Sequence, residues 1–222
     1  MTPERAATLQ AAVGIAPGTF LERLAATGPD AQTLYRALLP GFAATGSPPA
    51  VADAAATAGL DPDRAVAALA ALAAADLFAL GPDGQVQGAF PLSAVATRHR
   101  VRIPGRPLLH AMCAVDALGV PAMLGTGGAV SSTDPATGQA VKVTVGPDGD
   151  LTVSPTTAVV LLARAGDGPL ASACCSVMDF HADVSLAQRA LATPGTRGVV
   201  LDVPEAHALG VLLFAGLPAT AP

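Results

Sequence analysis

The chain has 222 residues, enough for one large domain or an ordinary domain with a small partner. Its net charge is −5, Lys142 is the only lysine, aromatics make up 3% and tryptophan is absent, which argues against a basic nucleic-acid-binding face or a base-stacking platform. Hydrophobic residues reach 51% and mean hydropathy is +0.51, yet the longest apolar run, residues 65–75, is 11 residues of mostly alanine. A bilayer-spanning helix needs ~20 apolar residues, so no membrane span is expected.

The opening Met1-Thr2-Pro3-Glu4-Arg5 leads into no apolar signal core, and a cytoplasmic protein with reduced thiols is expected. The odd cysteine count, three, also speaks against a disulfide framework. Adjacent Cys174 and Cys175 would close a strained ring only on oxidation.

The first part of the chain reads as helical. Apolar residues recur at helical spacing over residues 3–13 and 19–26, with breaks at Gly14, Pro17 and Gly28-Pro29. Asp30 predicts an N-cap for a helix through Leu34, Leu38 and Leu39, stopping before Pro40-Gly41. Ser47-Pro48 opens the next helix, which ends near Gly59. Asp61-Pro62 opens another, with Pro62 at its first turn and Val66, Leu69 and Leu72 on its buried face. Residues 77–80, the turn Gly81-Pro82-Asp83-Gly84 and residues 85–87 form a hairpin signal. Short helices, a longer one and a hairpin predict a winged-helix-like module over residues 1–88. Arg64 alone among residues 61–70 is basic, so a structural or dimerising role is favoured over DNA binding.

From residue 89 to 222 the pattern predicts a second domain of mixed β-sheet with flanking helices, giving α+β overall. Strands are expected over residues 97–103, 129–132, 140–145, 151–154, 158–163, 173–178 and 198–203. Helices are expected from Pro107 through Leu118, from a Ser185 cap to Ala192, and from Pro204 onward.

Two cysteine segments carry the candidate chemistry. In a helix begun at Pro107, Cys113 lies in the second turn and Asp116 three residues on, on the same face. The positive helix end modestly favours the Cys113 thiolate, and His110, three residues before it, adds to this if charged. In a strand over 173–178 neighbouring side chains point to opposite faces, so one of Cys174 and Cys175 meets Cys113 and the other packs in the core. A thiolate with a carboxylate beside it, plus a second thiolate, suits a soft metal ion. Cys113 can equally be a buried core cysteine. No Cys-x-x-Cys or His-x-x-x-His spacing points to zinc, and His99, His110, His181 and His207 are scattered.

These residues carry a resemblance to a known family. Residues 109–118, around Cys113 and Asp116, with Pro121-Ala-Met-Leu-Gly125 after them, resemble the first active-site segment of organomercurial (alkylmercury) lyases. Ser131-Ser-Thr-Asp-Pro-Ala-Thr-Gly138 and Val141-Lys-Val-Thr-Val145 are similar to the hairpin that follows. Ala173-Cys174-Cys175-Ser-Val-Met-Asp-Phe180 resembles the second cysteine segment, and residues 204–210 the C-terminal helix. The likeness spans about residues 90–215 in register.

The resemblance implies cleavage of the carbon–mercury bond by protonolysis, with Cys113, Cys174 and Asp116 catalytic and the same three residues holding Hg(II) transiently. It implies no bound cofactor, excess low-molecular-weight thiol for product removal, and mercuric reductase or cellular thiols as Hg(II) acceptor. Some positions depart from the family's pattern. Met112 and Ala173 stand where an aromatic often precedes each essential cysteine, Asp134 stands for a hairpin cysteine, and Ser176, Met178 and Asp179 replace histidine or aromatic residues. The same cysteines also suit a non-catalytic soft-metal or thiol-binding protein, from which Asp116 distinguishes a lyase.

Overall fold

The computed structural model describes residues 1–217, with helices packed against antiparallel β-sheet. The helical part comprises α1 (Pro3–Ala12), α2 (Phe20–Ala25), α3 (Pro29–Thr45), α4 (Val51–Thr57) and α5 (Pro62–Ala74). Side-chain caps set three of these starts: Thr2, Thr19 and Asp61 each accept the N–H three residues on, and Thr19 forms a reciprocal capping box with Glu22. α3 departs from expectation. It starts at Pro29, with Gly28 rather than Asp30 as N-cap, and runs through Pro40 to Thr45. Proline removes one backbone donor from a helix, but Leu34, Leu38, Leu39, Phe42 and Ala43 are all buried along this helix and hold it past the break. Gly46, with φ 77°, ends it by donating to the Phe42 carbonyl.

After α5 come β1 (Phe78–Leu80), β2 (Val86–Ala89), β3 (Leu92–Ser93), β4 (Arg100–Arg102) and β5 (Leu109–Ala111). Then follow α6 (Ala114–Met123), β6 (Gly128–Thr133), β7 (Ala140–Val145), β8 (Leu151–Ser154) and β9 (Val159–Ala165). The chain finishes with α7 (Leu170–Ala173), β10 (Phe180–His181), α8 (Val184–Leu191), β11 (Thr196–Asp202) and α9 (Val203–Phe214). Eight strands form one sheet in the order β1-β2-β3-β5-β4-β6-β7-β8, and β10-β9-β11 form a second. The α+β class is as expected, and the pairing is antiparallel throughout rather than mixed. The helices α3, α4 and α5 are followed directly by the β1–β2 hairpin. That hairpin also forms the end of the large sheet, so the expected division between residues 88 and 89 falls inside β2. Arg64, the basic residue of α5, is held by two bonds to Asp30 at 2.6 and 2.9 Å.

Three local readings change near the site. No helix starts at Pro107: β5 occupies Leu109–Ala111 and α6 begins only after Cys113, because the apolar Leu109 and Ala111 face the core from a strand. The expected strand over 173–178 is instead α7 followed by a turn, in which the Cys174 and Cys175 N–H groups both donate to the Leu170 carbonyl at 2.9 Å. α8 is capped by Asp183, whose carboxylate accepts the Leu186 N–H at 2.9 Å, not by Ser185. No described helix is long and apolar enough to cross a membrane.

α6 is positioned by a close helix crossing with α9. A Cβ on Gly119 would lie 2.6 Å from Phe214 and 2.8 Å from the Gly210 carbonyl, and one on Gly210 would lie 2.7 Å from the Val115 carbonyl. Phe214 in turn contacts Phe20 of α2 (ring centroids 4.9 Å apart), and Phe20 stacks on Phe90 at 5.3 Å. This aromatic group ties the helical part to the β-domain immediately beside α6, in a geometry that adds attraction beyond area burial.

Candidate active site

Cys113 is the N-cap of α6, with an extended backbone, and its sulfur accepts the Asp116 N–H at 3.5 Å. The cap places the thiol and the Asp116 carboxyl together over the first turn, where the helix has unpaired N–H groups. A backbone bond then brings in the second cysteine segment: the Ala114 N–H donates to the Met178 carbonyl at 3.0 Å. Asp76 fixes the other end of that segment. Held at φ 53° just after α5, it accepts the Leu170 N–H at 2.9 Å and so orients the turn carrying Cys174 and Cys175.

The result is a cluster of three buried or half-buried groups. The Sγ atoms of Cys113 and Cys175 and one Asp116 carboxylate oxygen all lie within 4.8 Å of one another. The Cys175 thiol donates to Asp116 Oδ2 at 3.8 Å. Of the residues proposed from sequence, Cys113 and Asp116 therefore meet, and the cysteine beside them is Cys175. Cys174 lines the same cavity, but its sulfur faces the Arg164 guanidinium at 3.8 Å. Arg164 is itself anchored to the Gly166 and Gly168 carbonyls at 3.1 and 2.7 Å. The two adjacent thiols diverge from a turn, Cys175 toward Asp116 and Cys174 toward Arg164. His110 is not beside Cys113: it lies on β5 with its ring nitrogen 3.0 Å from the Thr97 backbone.

Burial governs the ionisation of the cluster. It raises Asp116 to about 7, against the lowering effect of hydrogen bonds from the Cys113 and Cys175 thiols. Burial likewise pushes Cys113 up to about 11, with its bond from the Cys175 thiol pulling the other way. Cys175 rises well above the ordinary thiol range, first because of its hydrogen bond to Cys113 and then through burial. Burial also raises Cys174, and Arg164 opposes it. At neutral pH the cluster therefore holds protonated thiols beside a carboxyl group that exists in both forms.

The cavity over this cluster has about 40 Å³ of free space, a few times the volume needed for one water. Its walls are predominantly apolar and come from both halves of the chain, with Val13, Ile15, Phe20, Phe90, Leu209 and Leu213 among them. The wall contributed by residues 10–23 carries no motif in the sequence. The loop there is shaped by Gln10, whose side-chain amide donates to the Gly18 carbonyl at 2.7 Å and accepts the Gly18 N–H at 3.2 Å.

The alkylmercury lyase family model matches residues 92–215, more than half of the chain. The chain belongs to the alkylmercury lyase family. It is 34% identical over 178 residues to an alkylmercury lyase of Staphylococcus epidermidis, covering 80% of this chain and 79% of that protein. An alkylmercury lyase of Bacillus cereus is 30% identical, with 84% and 83% covered, and one of Streptomyces lividans 33% identical, with 80% of each covered. In fold it is similar to the mercury-bound form of MerB2, with a TM-score of 0.73, 20% identity, and 88% of this chain and 95% of that one covered. The chain is thus an enzyme of a family acting on organomercurials, and the thiol–carboxyl cluster lies within the matched segment.

A second buried polar group lies outside the cavity. Asp134 accepts the N–H groups of Ala136, Thr137 and Ala182 at 2.8, 2.9 and 3.0 Å. Burial pushes its carboxyl up, but these donors prevail and hold it below the usual carboxylate range. His181 Nδ1 stands 3.3 Å from it, at an angle that makes no hydrogen bond. This arrangement stitches the β6–β7 turn to β10, a structural task. Nearby, His99 bridges Ser132 Oγ at 3.1 Å and Asp179 Oδ1 at 3.2 Å. Despite its serine–histidine–aspartate order, the buried Ser132 lines none of the described cavities.

Proposed function

We propose that the enzyme cleaves the carbon–mercury bond by protonolysis, giving a hydrocarbon and Hg(II) held by two cysteines. The observation carrying this reading is that two thiols and a buried carboxyl converge within 4.8 Å at the floor of an apolar cavity. Thiolates are the soft ligands a protein offers a soft metal, and the apolar walls suit the organic group.

The steps balance without a redox partner. Cys113 displaces the thiolate that delivers the organomercurial, and the Cys113 proton leaves with that thiol. Cys175 then approaches mercury and gives its proton to the Asp116 carboxylate, which lies 3.8 Å from its sulfur. The second sulfur donates electron density to mercury and makes the bound carbon more basic. Asp116 passes the proton to that carbon as the bond breaks, since a carbanion is a poor leaving group. With a pKa raised to about 7, Asp116 both accepts and donates a proton near neutrality. The hydrocarbon departs, and Hg(II) stays on two thiolates. Excess small thiol removes it, with mercuric reductase or cellular thiols as the acceptor.

A second reading assigns the second thiol to Cys174. It is favoured by the place of Cys174 on the same cavity wall and by the register of the family resemblance. The experiment for the function as a whole is release of benzene from phenylmercury by purified protein in excess thiol. Release should exceed that of a Cys113→Ala control; equal release would remove the lyase reading of this site.

A further inference from the structure

Cys175 borders two cavities. One is the apolar cavity over Asp116. The other is an open groove of about 370 Å³, lined by Arg98, His99, Met112, Ser176 and Asp179 among others. The proposed chemistry uses only the first. The groove differs in character: Arg98 is 41% exposed there and gives one N–H to Asp179 Oδ2 at 3.4 Å, while Asp179 Oδ1 meets His99 at 3.2 Å. Arg98 carries five donors in a planar fork, and the Asp179 contact engages one nitrogen of it.

We propose that this groove is where a small carboxylate-bearing thiol docks to remove Hg(II), so that substrate and acceptor reach the metal through different cavities bordered by Cys175. The inference rests on the reading that Hg(II) is held by the cluster containing Cys175. The carboxylate of the incoming thiol seats on the outward edge of the Arg98 fork, a geometry guanidinium groups match well. Its thiolate adds to mercury, the Cys175–mercury bond breaks, and Cys175 takes up a proton. A second thiol displaces Cys113 in the same way, and mercury leaves with two small thiolates and no change of oxidation state. Separate routes keep the apolar cavity free of water and charged acceptors while the carbon–mercury bond is intact. Because Asp179 offsets part of the Arg98 charge and the site is partly exposed, the carboxylate preference should be about three- to tenfold.

The test loads the full-length protein directly with mercuric chloride, bypassing carbon–mercury cleavage. Release of Hg(II) is then timed with 3-mercaptopropionate, 2-mercaptoethanol and cysteamine at equal thiolate concentration. Wild type should release fastest to the carboxylate thiol. Arg98→Ala should lose that preference and Arg98→Lys, which keeps the charge without the planar fork, should keep only part of it. Ala96→Trp, at an exposed position on the groove wall, should slow release to all three thiols while leaving single-turnover benzene release unchanged. If the protein retains Hg(II) but no variant changes the rates or preferences, the groove is not the route and the proposal falls alone. If the protein fails to retain Hg(II), the reading of the cluster falls first and takes this one with it.

Discussion

The Cys175 thiol donates to Asp116 Oδ2 at 3.8 Å across 59 positions of sequence. This contact brings two cysteine segments and a buried carboxyl together at one place. It depends on backbone rather than on the side chains alone: the Ala114-to-Met178 hydrogen bond at 3.0 Å and the Asp76 cap on Leu170 at 2.9 Å hold the two segments in place. Burial then decides the chemistry, because it lifts Asp116 to about 7.

That lift has a consequence for folding. The folded-state pKa of Asp116 lies above its unfolded value, so its contribution to stability is intact below about pH 4 and is lost as pH rises through about 7. At ~1.4 kcal/mol per pH unit the loss reaches up to about 4 kcal/mol. Asp116→Asn cannot ionise and should flatten the stability profile over this range. Urea unfolding at pH 5 and pH 8 checks this. A wild-type and variant difference that is the same at both pH values would mean Asp116 is not a buried carboxyl of raised pKa.

The adjacent thiols should separate by substitution. Cys175 lies against Asp116 and Cys174 against Arg164, so Cys175→Ser should cut hydrocarbon release by several orders of magnitude and Cys174→Ser by far less. Single-turnover quench measurements with phenylmercury make the comparison. Loss in Cys174→Ser with retention in Cys175→Ser would transfer the second-thiol role to Cys174, as the family resemblance implies.

The helix crossing under the site is expected to be intolerant. Ala at Gly119 would drive its Cβ to 2.6 Å from Phe214 and 2.8 Å from the Gly210 carbonyl. Overpacking of this kind costs about 1–3 kcal/mol. A lowered Tm, with reduced activity as the Phe214–Phe20 contact shifts, is the expected result; an unchanged Tm would show that α6 and α9 can separate freely.

Much of this architecture was legible in the chain. The helix start at Asp61 follows from its cap residue, the helix after Thr19 from apolar spacing, and the turn at 81–84 from Gly and Pro positions, because these are local effects. Cys113 and Asp116 were identifiable for a related reason: three-residue spacing brings groups together both within a helix and from an N-cap to its first turn. What was not legible depends on tertiary contacts. Pro40 stays inside α3 because the apolar face around it is buried, and Cys175 turns inward because 173–178 is a turn held by Leu170 rather than a strand. Strand alternation separates Cys174 from Cys175 but does not choose which of them faces Asp116. The cavity walls at Val13, Ile15 and Phe20 were hidden for the same reason, being contributed across the fold by a segment with no motif.

The central claim is that Asp116 delivers the proton to carbon, and one measurement addresses it most directly. Asp116→Asn, given phenylmercury in a rapid-quench single turnover, should bind the organomercurial through its intact thiols yet release benzene at least a hundredfold more slowly than wild type, the lower range for losing a positioned acid. Benzene release at the wild-type rate by this variant would contradict the account.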